Sequence, residues 1–202
     1  MIRAAAALIA ALAIAGCAGD EADPLVDDER PPEQIFAEGE RLLAEGEAAA
    51  AAERFDDVER LYPYSAEARD AMLRAAEAYY AAGDLDQARL AAERFLSFYP
   101  TDPRAAEAQY LIANSWYARI ADVGRDQSAT REALAALRET VNRHPGTEEA
   151  RAAQLKLDLT LDHLAGKEME VGRYYLKRGH YVAAINRFRT VIDRYQTTSH
   201  TP

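Results

Sequence analysis

Residues 62–100 read YPYSAEARDAMLRAAEAYYAAGDLDQARLAAERFLSFYP, and this stretch decides the fold. Two segments with apolar residues at helical spacing flank Gly83, and a Tyr-Pro pair precedes the first segment and follows the second. Proline stops a helix because it lacks the backbone N–H and clashes with the preceding turn. The stretch therefore predicts a helix, a tight turn, a second helix and a proline stop.

The same pattern recurs along the chain. The tetratricopeptide template of about 34 residues, with its turn glycine on Gly46, Gly83 or Gly179, places small residues where the two helices face each other and large ones beside them. The matching residues are Gly39, Ala51, Phe55 and Pro63, then Ala76, Tyr79, Ala88 and Pro100, then Gly172, Tyr175, Ala184 and Phe188. A further repeat matches in two halves, Ala113 and Trp116, then Ala133, Leu137 and Pro145, with a polar insertion at 122–130 between them.

These spacings predict an all-α fold, an α-solenoid of about four tetratricopeptide-like helix pairs and eight helices. The expected solenoid covers residues 33–202, with repeats at about 33–63, 66–100, 103–145 and 147–196. Residues 147–178 contain no proline and predict one long helix, although a break near Ala165-Gly166 is an alternative. The alternative to the solenoid is an irregular helical bundle.

The first twenty residues, MIRAAAALIAALAIAGCAGD, have the pattern of a secretory signal. The apolar run between Arg3 and Gly16 is too short to span a bilayer. Ile14-Ala15-Gly16-Cys17 resembles a bacterial lipobox, so we expect a signal peptide at 1–16 and lipid attachment at Cys17, the only cysteine. An ordinary signal peptide is the alternative. The acidic, proline-containing segment 17–32 predicts a disordered tether.

Composition excludes several kinds of site. A net charge of -10 disfavours nucleic-acid binding, which depends on basic side chains, and one cysteine excludes an intramolecular disulfide. The four histidines show no metal-ligand spacing, and no phosphate loop or nucleophile elbow occurs. We therefore predict no enzyme activity and no catalytic, cofactor or metal site.

Helix A of each pair lines the concave face in tetratricopeptide stacks, and this places a candidate peptide groove. The predicted groove residues are Phe36, Leu43, Leu73, Tyr80, Tyr110, Asn114 and Tyr117. They form an aromatic and aliphatic surface with acidic edges, whereas the fourth repeat presents the cations Arg173 and Lys177. Residues 17–100 hold 8 basic and 21 acidic side chains, and residues 101–202 hold 15 and 13. This difference suggests two partners, although variation among solvent-facing residues is an alternative explanation.

Five features of the chain together resemble the YfiO (BamD) family of lipoproteins. They are the lipobox, the acidic tether, the stretch from Arg60 to Pro103, the inserted loop with Arg125-Asp126-Gln127, and VGRYYLKRGHYVAAINRF at 171–188. That family belongs to the outer-membrane β-barrel assembly (BAM) machinery. The resemblance implies a scaffold, lipid-anchored at the periplasmic face of the outer membrane, that binds a BamA-like barrel protein through its POTRA region. It also implies contacts with accessory BAM lipoproteins and with C-terminal segments of unfolded outer-membrane proteins.

The resemblance also assigns a role to Arg187. Asn186-Arg187 matches a family motif whose arginine faces the fifth POTRA domain, whereas without the resemblance it reads as an exposed surface arginine. The family continues into a fifth helix pair, so the resemblance implies either further residues after Pro202 or a partner over the last pair. The alternative function is a periplasmic tetratricopeptide adaptor that coordinates cell-wall or division enzymes.

Overall fold

The computed structural model describes residues 30–201, and within this range the chain forms eight α-helices and no strand. The helices are α1 Pro32–Ala44, α2 Ala48–Leu61, α3 Ala66–Ala82, α4 Leu85–Phe98, α5 Ala105–Tyr117, α6 Ser128–Arg143, α7 Glu148–Lys177 and α8 Tyr181–Arg194. Each helix packs mainly against its neighbours in the chain. The predicted all-α solenoid of four helix pairs is confirmed.

Local signals in the sequence set where the helices begin and end. Ser65 Oγ accepts a hydrogen bond from Ala68 N at 3.1 Å, and Thr147 Oγ1 accepts one from Ala150 N at 3.1 Å. Such caps satisfy backbone donors that the first helical turn leaves free. Gly83, with φ of 83°, ends α3 in the left-handed region, where a Cβ would be strained. The chain can therefore reverse within a few residues between α3 and α4.

Small residues let the two helices of a pair approach closely. Gly39 of α1 faces Phe55 of α2, and a Cβ on this glycine would lie 2.7 Å from Phe55 Cε1. Gly172 of α7 faces Phe188 of α8 in the same way, with Cδ1 and Cζ of the ring at 2.8 and 2.9 Å from such a Cβ. The small residues predicted to face each other are all buried, namely Gly39, Ala51, Ala76, Ala88, Ala113, Ala133, Gly172 and Ala184.

Two hydrophobic cores hold the stack together. The smaller one joins α1, α2 and α3 around Ile35, Phe55 and Val58. The larger one runs from α3 to α7 and contains Phe95 and Leu137. Because α3 contributes to both cores, apolar burial is continuous from the first pair to the start of the fourth.

Helix α7 is continuous over 30 residues, which confirms the predicted long helix and rules out the alternative break. Its first half packs in the larger core through Ala153 and Leu157, and its second half packs against α8. Both of its glycines are buried, Gly166 beneath the His200 ring and Gly172 beneath Phe188. Close packing by other side chains explains why glycine is tolerated inside this helix.

The predicted signal peptide, Cys17 and nearly all of the predicted tether lie outside the described residues. None of the helices described is both long enough and apolar enough to cross a membrane. The last part of the predicted tether meets the stack, because Tyr62 Oη donates a hydrogen bond of 2.8 Å to the carbonyl oxygen of Arg30.

Candidate functional site on the concave face

The curvature of the stack is visible in which helices touch. The backbones of the first helices of successive pairs approach each other closely, α1 with α3, α3 with α5 and α5 with α7, whereas the backbones of α2, α4, α6 and α8 do not. Long side chains join α2 to α4 on that side, since Arg94 pairs with Asp56 and Glu59. The side on which successive helices are closest is the inner side of the curve. The concave face is therefore lined by α1, α3, α5 and α7.

Six of the seven predicted groove residues are partly exposed. Phe36 and Leu43 lie on α1, Tyr80 on α3, and Tyr110, Asn114 and Tyr117 on α5. The three tyrosines pack against the larger core along one side and keep the rest of their surface accessible. This arrangement gives an aromatic surface that spans the second and third pairs.

Leu73 requires a correction, because it is only 1% exposed and belongs to the larger core. Helix α3 packs against α1, α2, α4 and α5, and Leu73 lies on the part of its surface that these neighbours cover. Leu73 is therefore a core residue and does not line the groove, although the template assigns its position to the groove.

Arg74 crosslinks the first two pairs on the concave face, and the sequence analysis did not select it. Its Nε and Nη2 donate hydrogen bonds to Glu40 Oε1 and Oε2 at 2.6 and 2.5 Å, and its Nη1 bonds Glu77. The hydrogen bonds to Glu40 raise the pKa of Arg74 above its ordinary value, while burial acts in the opposite direction. Arg74 thus neutralises part of the acidic edge that the sequence predicts.

Glu107 of α5 faces Glu77 of α3 across the same surface. Burial raises the pKa of the Glu107 carboxyl to about 7, and the hydrogen bond and negative charge of Glu77 act in the same direction. Two carboxyls that share a hydrogen bond hold one proton between them more readily than either would alone. The acidic edge therefore carries less negative charge near neutral pH than a count of residues suggests.

Lys156 of α7 lies beside the aromatic part of this face. Its Nζ donates a hydrogen bond of 2.5 Å to Asn114 Oδ1. The same ammonium lies 5.2 Å from the ring centroid of Tyr110 and 5.1 Å from that of Tyr117. Both distances are within the range of a cation–π interaction.

Sequence reasoning missed Lys156 for a specific reason. The template for the fourth repeat was counted back from Gly179 and so covered only the second half of α7. The first half of that helix had no assigned face, although it contacts α5 and α6. A signal was available, because the chain has only three lysines and Lys156 is the one that lies before the part of α7 that the template covered.

The predicted partner residues lie on the fourth pair and are all exposed. Arg187 of α8 donates a hydrogen bond of 3.0 Å from Nη1 to Glu168 Oε2 on α7, and its side chain is 45% exposed. Arg173 and Lys177 lie on α7. Arg173 lines a cavity of about 440 Å³ with His163 and His200, whereas Arg187 lines a different cavity of about 290 Å³.

The remaining aromatic positions of the template are partly buried. Tyr79 donates a hydrogen bond of 2.5 Å from Oη to Asp56 Oδ2, and Trp116 lies under the guanidinium groups of Arg89 and Arg119 at 5.2 and 5.7 Å. The Tyr79–Asp56 hydrogen bond and the Arg89–Trp116 contact link neighbouring pairs, whereas Arg119 follows α5 directly and contacts Trp116 within the same pair. Within residues 30–201, no group of three or more histidine, cysteine, aspartate or glutamate side chains is placed to hold a metal ion.

This fold and this inner face define a tetratricopeptide-like scaffold, a class that binds extended segments of other proteins along its concave side. The model of the YfiO family, described as an outer membrane lipoprotein, matches residues 28–202. This chain belongs to that family, and membership associates it with the outer membrane.

Relatives from several bacteria share most of the chain. It is 48% identical to the outer membrane protein assembly factor BamD of Caulobacter vibrioides over 198 residues, which are 98% of this chain and 65% of the relative. The BamD proteins of Rickettsia prowazekii and Neisseria gonorrhoeae are 36% and 34% identical, over 96% and 93% of this chain and 77% and 75% of their own lengths. The chain thus spans about two thirds to three quarters of the length of these relatives.

Proposed function

We propose that this chain is a scaffold and client-recognition lipoprotein of the outer-membrane β-barrel assembly complex, without catalytic activity of its own. It acts at the periplasmic face of the outer membrane, held by lipid on Cys17. Its partners are the POTRA region of a BamA-like barrel protein, accessory lipoproteins of the complex, and C-terminal segments of unfolded outer-membrane proteins.

One observation carries this proposal. The family match covers residues 28–202, so it includes all eight helices and both hydrophobic cores rather than one generic repeat. A single tetratricopeptide pair occurs in proteins of many functions, whereas a match along the whole stack includes the inserted loop and the long α7. The relatives that share this stack are named outer membrane protein assembly factors.

The concave face supports the client-binding part. Phe36, Leu43, Tyr80, Tyr110 and Tyr117 offer apolar and aromatic surface, and Asn114 offers an amide that can bond a peptide backbone. Ordering an unfolded client has an entropic cost that offsets part of the contact energy. We therefore expect modest affinity for each client segment, which suits a site that must release its clients.

The fourth pair supports the partner-binding part. Arg187 is exposed beside Glu168, and Arg173 and Lys177 add positive charge to the same pair of helices. A guanidinium can hold a carboxylate through two parallel hydrogen bonds. An acidic side chain of the POTRA region could exchange with Glu168 as the partner of Arg187.

Co-purification from detergent-solubilised membranes tests the proposal. We expect the full lipidated chain to retain a POTRA-barrel protein, and Arg187→Ala to reduce that recovery more than Arg189→Ala, an exposed arginine on the same helix. Cys17→Ser should release the chain from membranes that lack the barrel protein. Recovery of cell-wall or division enzymes without a barrel protein would favour the periplasmic adaptor instead.

A further inference from the structure

The first three helix pairs present two opposite edges to their surroundings. The proline-stop edge contains the turns that follow the second helix of each pair, at 62–65, 99–104 and 144–147, and the helix ends beside them. The glycine-turn edge contains the turns within the pairs, at 45–47, 83–84 and 118–127. Because each helix reverses the direction of the one before it, turns of one kind lie along the same edge.

Exposed aromatic side chains of these three pairs lie at the proline-stop edge. Tyr64 in the first of its turns is 100% exposed, and Phe98, the last residue of α4, is 65% exposed. From α1 to α6 the one other large apolar side chain that is exposed is Leu90, in the middle of α4. The glycine-turn edge exposes none. A surface that contacts the proline-stop edge would therefore remove aromatic rings from water.

Ion pairs show that the first two turns of the proline-stop edge are neighbours. Arg69 Nη1, at the start of α3, lies 3.7 Å from Asp102 Oδ2 in the turn after α4. Arg104 Nη2, in the same turn, donates a hydrogen bond of 2.7 Å to Asp70 Oδ1 on α3. Tyr64 and Phe98 thus belong to adjacent turns of one edge, and one flat surface can contact both.

The tether enters the stack at the same edge. Tyr62 Oη donates a hydrogen bond of 2.8 Å to the carbonyl oxygen of Arg30, which is the thirteenth residue after Cys17. A segment of that length spans at most about 45 Å. The glycine-turn edge lies farther from the tether by the length of one helix, about 20 Å. Lipid on Cys17 would therefore hold the proline-stop edge nearer to a bilayer.

Charge distinguishes the two edges in the same sense. Arg60, Arg69 and Arg143 at the proline-stop edge are each more than half exposed, and each pairs with a carboxylate. Paired charges are weakly repelled by an anionic phospholipid surface, whereas unpaired carboxylates are repelled more strongly. At the glycine-turn edge, the carboxylates that form no salt bridge within residues 30–201 are Glu47, Asp84, Asp122 and Asp126.

We propose that the proline-stop edge of the first two pairs rests on the phospholipid surface that anchors the chain, with Tyr64 and Phe98 at the level of the headgroups. Aromatic side chains favour this level of a bilayer, because the ring is apolar and the tyrosine hydroxyl stays hydrated. The inference rests on the proposed function for the lipid on Cys17, and it adds the orientation of the stack. The helices of the first two pairs then stand across the membrane surface rather than along it.

Tryptophan fluorescence of the full lipidated chain in vesicles tests the orientation. The vesicles consist of phosphatidylethanolamine and phosphatidylglycerol, with or without lipids brominated on the acyl chains near the headgroup. Tyr64→Trp and Phe98→Trp are the probes, each in a Trp116→Phe background that removes the natural tryptophan. Leu90→Trp is the matched control, because Leu90 is also exposed on α4 but lies about 12 Å along the helix from Phe98.

Brominated lipid quenches only a tryptophan that comes into contact with it. We expect the emission of Tyr64→Trp and of Phe98→Trp to fall at least about twofold, because both rings reach the bilayer interface. The emission of Leu90→Trp should change by less than about one tenth, because its side chain stays in water. Circular dichroism shows whether each variant keeps its helices. If Trp116→Phe does not fold, Trp116 is kept and its emission, measured without a probe, is subtracted.

Two kinds of result overturn the inference. Equal quenching at all three positions, or no quenching of either probe in a chain that sediments with the vesicles, would exclude this edge as the membrane contact and leave the proposed function intact. A lipidated chain that does not sediment with vesicles would contradict the anchor on Cys17, and with it both proposals. Because the barrel protein is absent, the measurement is independent of co-purification with that partner.

Discussion

In the first helix pair Gly39 meets the ring of Phe55, and in the fourth pair Gly172 meets the ring of Phe188 with equally little space. The two pairs differ in what surrounds this contact. Phe55 is fully buried in the core shared by α1, α2 and α3, whereas Phe188 is only partly buried, and α8 contributes to neither of the two cores. Close packing within a pair and stacking between pairs are therefore separate sources of stability.

Exposed apolar side chains follow the same division. Helices α1 to α6 leave two large apolar side chains exposed, Leu90 and Phe98. On α7 and α8 the exposed ones are Leu155, Leu159, Tyr174, Leu176, Tyr181, Val182, Ile185 and Ile192. Apolar surface raises the free energy of unfolding only when folding removes it from water. We therefore expect the last pair to be the least stable part of the described stack.

Replacing the two phenylalanines tests this difference most directly. Phe55→Ala removes a fully buried ring and should lower the free energy of unfolding by about 3–5 kcal/mol. Phe188→Ala removes a partly exposed ring and should cost about 1–2 kcal/mol. Urea unfolding followed by circular dichroism measures both values, and equal losses would contradict the comparison.

Adding a methyl group to the facing glycines should have a smaller effect in the same direction. Gly39→Ala places a Cβ 2.7 Å from the fully buried ring of Phe55, so overpacking should lower the free energy of unfolding by about 1–3 kcal/mol. The higher helix propensity of alanine should offset up to about 1 kcal/mol of this loss. In Gly172→Ala the partly exposed Phe188 ring can turn toward solvent, so the net loss should be smaller. The urea unfolding midpoints of the two variants show which substitution destabilises the chain more.

The acidic edge of the concave face should make stability depend on pH. Burial and Glu77 raise the pKa of Glu107 to about 7, so the folded chain binds this proton more tightly than the unfolded chain does. Stability should therefore fall as pH rises from about 4.5 to about 7, and solvent screening keeps the change smaller than the effects above. Glu107→Gln should flatten this part of the stability curve, whereas Glu132→Gln, an exposed residue of α6, should not.

Gly166→Ala should have the smallest effect. A Cβ there would lie 3.2 Å from His200 Nε2, which is the far end of a side chain, so a small rotation of this ring can relieve the contact. The gain in helix propensity, up to about 1 kcal/mol, should balance the displaced contact. A large loss of stability in thermal unfolding would show that the segment carrying His200 holds α7 firmly in place.

The amino-acid sequence by itself determined the helix pairs, because glycine turns, proline stops and small facing residues act within one pair, over short separations. The spacing of Pro63 and Pro100 around Gly83, and the absence of proline through α7, were sufficient to place these helices. It also selected the groove tyrosines, since a repeated template assigns one face of each first helix.

Only the tertiary structure decided how the pairs meet. Burial of Leu73, the bridge from Arg74 to Glu40 and the position of Lys156 beside Tyr110 and Tyr117 each join residues of different pairs. A template counted along one repeat carries no information on the distance or rotation between neighbouring repeats. That geometry arises from how large side chains of successive pairs fill the space between them, and it fixes which charges on the concave face are paired and which remain available.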